Sequence, residues 1–300
     1  MDLSLTRRML IGSALCLPVL TLRANAEEGA KASAGEGEDN IEHRLAALEK
    51  RTGGRLGVSV LDTETSISFG YRGSETFPMC STFKALAAAF VLARADKGEE
   101  NIDRRVSYGK DKLVDYSPIS EKHAGTDGMT LAELCEAAVT VSDNTAGNLL
   151  LESFGGPAGL TDWLRSIGDG TTRLDRTEPT LKEGRKGDPR DTTTPDAMLD
   201  TLGNLTLGSV LTEASSDRLI AWLVASTTGK ERLRAGLPAD WKVGDKTGTG
   251  PNGSLGDIAV IWPPDRGPIV AAVYISETTV PVKELNPLFA EVGRMIVEMV

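Results

Sequence analysis

Histidine is almost missing from this chain of 300 residues: there are two, His43 and His123. A catalytic zinc centre takes three or four ligands, drawn largely from histidine and cysteine at short spacings. No such pattern exists here, so a zinc hydrolase is disfavoured and no metal site is expected. Cysteine is equally scarce, with Cys16, Cys80 and Cys135 the whole complement. Basic charge is in deficit, 33 Lys and Arg against 43 Asp and Glu, for a formal net charge of −10. An acidic chain repels nucleic acid and anionic membrane surfaces, so neither is expected as a partner. Any anionic substrate has to be drawn in by a local cluster of cations. Internal repeats are absent too.

The one long apolar run, Leu10 to Leu22, is short for a bilayer span, which needs about 20 residues. It follows Thr6-Arg7-Arg8-Met9 and leads into Ala24-Asn25-Ala26, a small-x-small cleavage site. Residues 1–26 therefore read as an export signal, and the twin arginine suggests the Tat route for folded proteins. A periplasmic or secreted protein is expected. Cleavage removes Arg7, Arg8 and Arg23 against Asp2 alone, leaving a more acidic product. Leu15 before Cys16 makes a poor lipoprotein site, and Cys16 departs with the signal.

After a Gly, Ala and Glu-rich leader (27–38), Ile41, Leu45 and Leu48 recur at helical spacing and end at Gly53-Gly54. Arg55–Asp62 and Ile67–Tyr71 read as paired strands. Helices are expected over Ser81–Lys97, Leu131–Val139, Asn144–Phe154, Pro157–Ile167, Pro195–Leu205 and Glu213–Ala225. Strands return at Trp241–Lys246, Ser254–Trp262 and Ile269–Ser276, and a helix over Glu284–Val300 closes the chain. The expected class is α/β: an antiparallel sheet built from both chain ends and flanked by helices, with a mostly helical region inserted. The boundaries are 39–72 and 212–300 for the α/β part and 73–211 for the helical part. A polar stretch from Thr172 to Thr194 lacks hydrophobic period, and loops of that length in compact domains are usually functional.

Three short motifs stand out. Ser81-Thr82-Phe83-Lys84 opens the first long central helix, and positions i and i+3 share a helix face, so the Lys84 amine can reach the Ser81 hydroxyl. A serine at a helix start also sits among unpaired N–H groups that favour developing negative charge. A base and an anion site are two needs of an acyl-transfer nucleophile. Alone the motif is weak, since Ser-x-x-Lys arises by chance about once in a chain of this length. Ser142-Asp143-Asn144, at a helix junction, reads in isolation as a helix cap. Lys246-Thr247-Gly248 reads as a strand end running into an exposed turn.

Together and in this order, STFK, SDN and KTG resemble the signature of class A β-lactamases and their penicillin-binding relatives. The resemblance runs from about Ile41 to the C-terminus. It takes in VDYSPISEKH (Val114–His123), DGMTLAELCEAAVTVSDNTAGNLLL (Asp127–Leu151), Arg176-Thr177-Glu178-Pro179, Asp191-Thr192-Thr193-Thr194-Pro195 and Asp245–Gly250. It implies a β-lactamase/transpeptidase-like fold and hydrolysis of penicillins and cephalosporins through an acyl-enzyme on Ser81. The base in acylation would be Lys84, or Glu178 through a water. Ser142 would relay a proton to the lactam nitrogen and Lys246 would hold Ser142. The N–H groups of Ser81 and Thr249 would bind the oxyanion. Asn144, Tyr116, Thr247 and Thr249 would contact substrate. Glu178 would activate the deacylating water from an Ω-like loop (175–192) closed by Arg176 and Asp191, with a cis Glu178–Pro179 bond. A monomer with a small-molecule β-lactam as partner, and neither cofactor nor metal, is implied.

The chain departs from the family pattern in places. Lys182 stands where an asparagine usually shares the deacylating water, so an ion pair to Glu178 and altered deacylation are expected, unless the lysine points to solvent. Leu255 and Asn286 occupy two positions used by carboxylate-binding arginines, and Arg232 matches a third location used by some members, which makes it the candidate for that role. Gly250 and Ala88 replace cysteines that pair with Cys80 and Cys135 in some members, so both thiols are expected free and buried. Rival readings are a D,D-peptidase and a β-lactam sensor. Glu178 in its loop argues against the first, and the lack of further membrane segments and a signalling domain against the second.

Overall fold

The computed structural model describes residues 41–300. The export signal (1–26) and the leader (27–38) lie outside the described residues. A helix over residues 41–52 (α1) precedes strands β1 (Arg55–Asp62) and β2 (Ser68–Tyr71). Near the other end come β7 (Lys242–Gly250), β8 (Ser254–Trp262) and β9 (Ile269–Ser276), then helix α8 (Val282–Met299). These five strands form one antiparallel sheet in the order β2-β1-β9-β8-β7. The two chain ends meet at the β1–β9 pair, where Arg55 lies opposite Ser276 and Asp62 opposite Ile269.

Successive side chains on a strand point to opposite faces, and β9 shows what each face covers. Ile269, Ala271, Val273 and Ile275 join a core with Leu45 and Leu48 of α1 and Leu285, Phe289 and Val292 of α8. Val270, Ala272 and Tyr274 face a second core built from the helical insertion. Because both faces are covered, β9 reads as an unbroken apolar run rather than an alternating one.

The inserted helices are α2 (Phe83–Asp96), α3 (Leu131–Thr140), α4 (Asn144–Ser153), α5 (Gly156–Ser166), α6 (Pro195–Thr206) and α7 (Glu213–Val224). Their starts are set by side-chain caps. Thr130 and Glu133 make a capping box on α3, and Asp143, Thr194 and Thr212 cap α4, α6 and α7. Helix α2 is buried on nearly all sides, from Phe83 through Ala89 and on to Val91–Ala93, which explains its run of small and apolar residues. Short two-residue pairings, β3 (Phe77–Pro78) with β6 (Thr192–Thr193) and β4 (Arg105–Val106) with β5 (Met129–Thr130), pin the connections. Residues 41–300 make one compact unit, and no helix among them is long and apolar enough to cross a membrane.

Two expected boundaries beside Ser81 move. The helix expected from Ser81 begins as a single 3₁₀ turn, Cys80–Thr82, entered through Cys80 at φ +46°. Strand β7 runs four residues past Lys246, to Gly250, because Gly248 and Gly250 are glycines of close approach and not of a turn. A Cβ on Gly248 would lie 2.7 Å from the Met79 carbonyl oxygen, and one on Gly250 would lie 2.4 Å from that of Lys182. Cys80 and Cys135 are free and buried, as expected, and burial pushes the Cys80 thiol up to about 12.

Phe289 is fully buried against the back of the sheet, and the Arg232 guanidinium lies 5.2 Å from its ring centre. Phe289→Ala is expected to lower the unfolding free energy by about 3–5 kcal/mol in a urea titration, whereas a loss below about 1 kcal/mol would show that α8 is not part of the core.

Candidate active site

Ser81 sits in the 3₁₀ turn that feeds α2, at the foot of the groove between the sheet edge and the helices. Strand β7 passes close by: a Cβ at Gly248 would come within 3.2 Å of the Ser81 nitrogen. The bare backbone at Gly248 therefore lets the next residue, Thr249, share a wall with the Ser81 N–H. One helical turn on, Lys84 Nζ lies 3.1 Å from Ser81 Oγ.

Lys84 is wholly buried, and a buried ammonium requires oxygen partners. It donates to the Ser142 carbonyl oxygen at 2.8 Å and to Asn144 Oδ1 at 2.5 Å, and lies 3.3 Å from Ser142 Oγ and 3.4 Å from Glu178 Oε1. Burial pushes its pKa down to about 8, opposed by the negative charge of Glu178. Lys246 Nζ approaches Ser142 from the other side, donating to Ser142 Oγ at 3.0 Å and to the Thr247 carbonyl oxygen at 2.7 Å. Burial and the nearby Lys84 charge drive the Lys246 pKa well below its ordinary value. The Ser142 hydroxyl thus sits between two lysines with depressed proton affinity, an arrangement able to relay a proton.

The SDN segment does both things its residues allow. Asp143 is the cap: its Oδ1 accepts from Ala146 N at 2.9 Å and from Ser120 Oγ at 2.7 Å, and its Oδ2 from the Ile119 and Ser120 nitrogens at 3.0 and 2.9 Å. With Asp143 spent on structure, Ser142 and Asn144 on either side of it are turned into the groove. Tyr116, 61% exposed, stands as a side wall, and its carbonyl oxygen accepts from Asn144 N at 3.0 Å. Cys80, Tyr116, Ser142 and Asp191 all hold positive φ. Such conformations cost about 1 kcal/mol or more each for residues with a Cβ and persist where surrounding bonds enforce them.

The polar stretch 175–192 closes on itself. Arg176 Nε donates to Asp191 Oδ2 at 2.6 Å, and Asp191 Oδ1 accepts from the Asp175 and Arg176 nitrogens at 2.8 and 2.9 Å. The same neck is tied to the turn that carries Ser81, since Met79 N donates to the Asp191 carbonyl oxygen at 2.9 Å. The Glu178–Pro179 bond is cis. Ser81 Oγ donates to Glu178 Oε1 at 3.1 Å, while Glu178 Oε2 is buried with no hydrogen-bond partner among the described residues.

The open pocket above these groups holds about 360 Å³ and is lined by Ser81, Tyr116, Ser142, Asn144, Lys182, Thr228, Arg232, Thr247 and Thr249. Arg232 is 5% exposed and mostly engaged. Its Nε donates to Asn286 Oδ1, its Nη1 to the Gly248 and Gly256 carbonyl oxygens and its Nη2 to Thr249 Oγ1 at 2.6 Å. One Nη2 hydrogen and the Thr249 hydroxyl are what remain for a ligand. Leu255 is buried in the rear core, and Asn286 serves to hold Arg232. The expected Lys182–Glu178 ion pair does not form: the partner of Glu178 is Lys84, and Lys182 lines the pocket.

Two contributors escaped the sequence reading. Asn148 clasps the backbone of Glu178, its Nδ2 donating to the Glu178 carbonyl oxygen and its Oδ1 accepting from Glu178 N, both at 2.9 Å. It lies four residues beyond Asn144 on α4, the same helix face, and that spacing was the available signal. Thr228 accepts from Thr247 Oγ1 at 2.7 Å and carries no sequence signal. Among the described residues no group of three or more His, Cys, Asp and Glu is placed to hold a metal ion. Asn148→Ala is expected to speed amide hydrogen exchange around Glu178 and to cost about 1–3 kcal/mol, through the two bonds it removes. Unchanged exchange there would show that the clasp does not hold the loop.

Known proteins resemble this chain in sequence and fold. Residues 40–300 match the model of the Beta-lactamase enzyme family. The chain is 48% identical over 260 residues to the β-lactamase OXY-1 of Klebsiella oxytoca, covering 87% of this chain and 89% of that protein. It is 45% identical over 297 residues to the carbapenem-hydrolysing β-lactamase KPC of Klebsiella oxytoca, covering 99% and 98%. Among solved structures, an ancestral class A β-lactamase (GNCA) matches with a TM-score of 0.85 at 64% identity, over 87% of this chain and all 100% of that one. The putative class A β-lactamase PenP of Rhodopseudomonas palustris matches with a TM-score of 0.85 at 57% identity, over 87% and 100%. The fold is accordingly β-lactamase/transpeptidase-like, and the chain belongs to the class A serine β-lactamases.

Proposed function

We propose that Ser81 carries the covalent chemistry of this enzyme and that Lys84 and Glu178 divide the two halves of the reaction between them. The protein hydrolyses β-lactam antibiotics and confers resistance to them. In the first half, Ser81 Oγ attacks the lactam carbonyl carbon and gives its proton to Lys84, 3.1 Å away. Lys84 suits that role because its lowered pKa, about 8, leaves a useful fraction of neutral amine near pH 7. The oxyanion lies against the N–H groups of Ser81 and Thr249, and losing one such donor costs about 10²–10³ in rate. The carbon–nitrogen bond then breaks, and the nitrogen takes the Ser142 hydroxyl proton, which is replaced from the lysines bonded to that oxygen.

In the second half, Glu178 takes a proton from the water that attacks the Ser81 ester, and Ser81 regains its hydrogen. Support comes from the buried Oε2 of Glu178, which no protein group engages. Thr247, Thr249 and the remaining Arg232 hydrogen face the substrate's ring carboxylate, Asn144 its acylamino group, and Tyr116 its flank. Residues 1–26 would direct the protein out of the cytoplasm, to the periplasm or beyond, where the antibiotic is met, and the enzyme would act as a monomer.

The observation that carries this reading is the Glu178 carboxylate within 3.1 Å of Ser81 Oγ, since a peptidase or sensor that holds its acyl group has no use for it. Mixed with a chromogenic cephalosporin, the wild type is expected to turn over many times with no lasting adduct. Glu178→Gln is expected to gain the mass of one substrate on Ser81 and keep it, and Ser81→Ala to show no adduct and a rate at least about 10³-fold lower. A single persistent adduct in the wild type would instead identify a receptor or peptidase.

A further inference from the structure

The cations around the pocket fall into two kinds. Lys84, Lys246 and Arg232 are buried, and most of their hydrogens are taken up by carbonyl, amide and hydroxyl oxygens of the protein itself, with what remains directed to the ring-carboxylate side. Lys182 differs: it is only half-buried, it lines the same pocket, and its ammonium makes no ion pair among the described residues. Its backbone is not loose. It belongs to a 3₁₀ turn, Thr180–Glu183, whose Leu181 is buried and whose Glu183 pairs with Arg176. A Cβ on Gly250 would meet the Lys182 carbonyl oxygen at 2.4 Å and its Cβ at 3.2 Å, so the turn is pressed against the end of β7. A fixed stem thus holds an uncommitted positive charge at the Ω-loop side of the pocket. Its charge is felt at the site, where it helps depress Lys84.

Which part of a β-lactam reaches it follows from bonding, given the reading above of Ser81 as nucleophile. The lactam carbonyl carbon has two neighbours in the ring, the nitrogen and the carbon that bears the acylamino group. The nitrogen must face Ser142 to receive its proton, which takes the ring carboxylate towards Lys246, Thr247 and Thr249. The acylamino carbon must then face the opposite wall, the side of Glu178 and Lys182. We propose that Lys182 is a specificity residue that binds a second negative charge, a carboxylate or sulfonate on the acylamino side chain, so that doubly anionic β-lactams are favoured over neutral-side-chain counterparts. This assignment rests on the β-lactamase reading and adds a substrate class to it.

A matched pair tests it: benzylpenicillin and its α-carboxy derivative, which differ by one side-chain carboxylate. The measured quantity is the ratio of kcat/KM for the charged over the uncharged substrate. In Lys182→Gln the ratio is expected to fall about fivefold, chiefly through KM, and in Lys182→Glu about tenfold or more. Lys182→Arg should restore it. Raising the salt concentration should shrink the wild-type ratio and leave that of Lys182→Gln nearly flat. A ratio that stays within about twofold across the variants overturns the proposal, as does an equal fall for both substrates, which would assign Lys182 to deacylation. Absence of benzylpenicillin turnover in the wild type would instead count against the β-lactamase reading itself.

Discussion

A lysine amine buried to zero exposure is the constraint on which this site is organised. Lys84 cannot stay in that position without oxygen partners, and the partners come from separate parts of the chain: Ser81 from the turn before α2, Ser142 and Asn144 from the start of α4, and Glu178 from the Ω-like loop. Satisfying one buried charge therefore brings these segments together. The same burial that demands those bonds lowers the lysine's proton affinity, so one cause serves both assembly and chemistry.

A second, steric constraint sets the other wall. Strand β7 passes so near the Ser81 turn that Gly248 has no space for a side chain, and Gly250 is similarly confined by the Ω-like loop. That closeness brings the backbone on either side of Gly248 against the Ser81 nitrogen, as the proposed oxyanion site requires. It is reinforced from behind, where Arg232 bonds the Gly248 and Gly256 carbonyl oxygens while resting on Phe289 of α8. Arg232 thus touches both the rear core and the groove.

Much of this was legible in the sequence, for identifiable reasons. Strand β9 shows its length in an apolar run from Ile269 to Ile275 because both sheet faces are covered, and β1 and β8 show theirs in mostly apolar stretches. The helices declare themselves through caps such as Thr130 and Thr194. The three motifs name Ser81, Lys84, Ser142, Asn144 and Lys246 because each is a short segment whose members act together. What stayed hidden depends on long-range proximity. The extension of β7 to Gly250 looks like a turn until the neighbours of its glycines are known, and the clasp of Asn148 on Glu178 joins residues 30 positions apart. The environment of Lys182 was open for the same reason, since a long side chain in a loop has several carboxylates within reach of its sequence position.

The protonation state of Lys84 is the most direct test of how this site is built. Its side-chain amine can be titrated by NMR in protein carrying isotope-labelled lysine, assigned by comparison with Lys84→Arg. The predicted midpoint is near 8, against an ordinary 10.5. In Glu178→Gln it should fall lower still, because the negative charge of Glu178 opposes the loss of the proton. A midpoint near the ordinary value, or one indifferent to the removal of Glu178, would contradict the claim that one buried, partnered lysine both assembles the site and serves as its base.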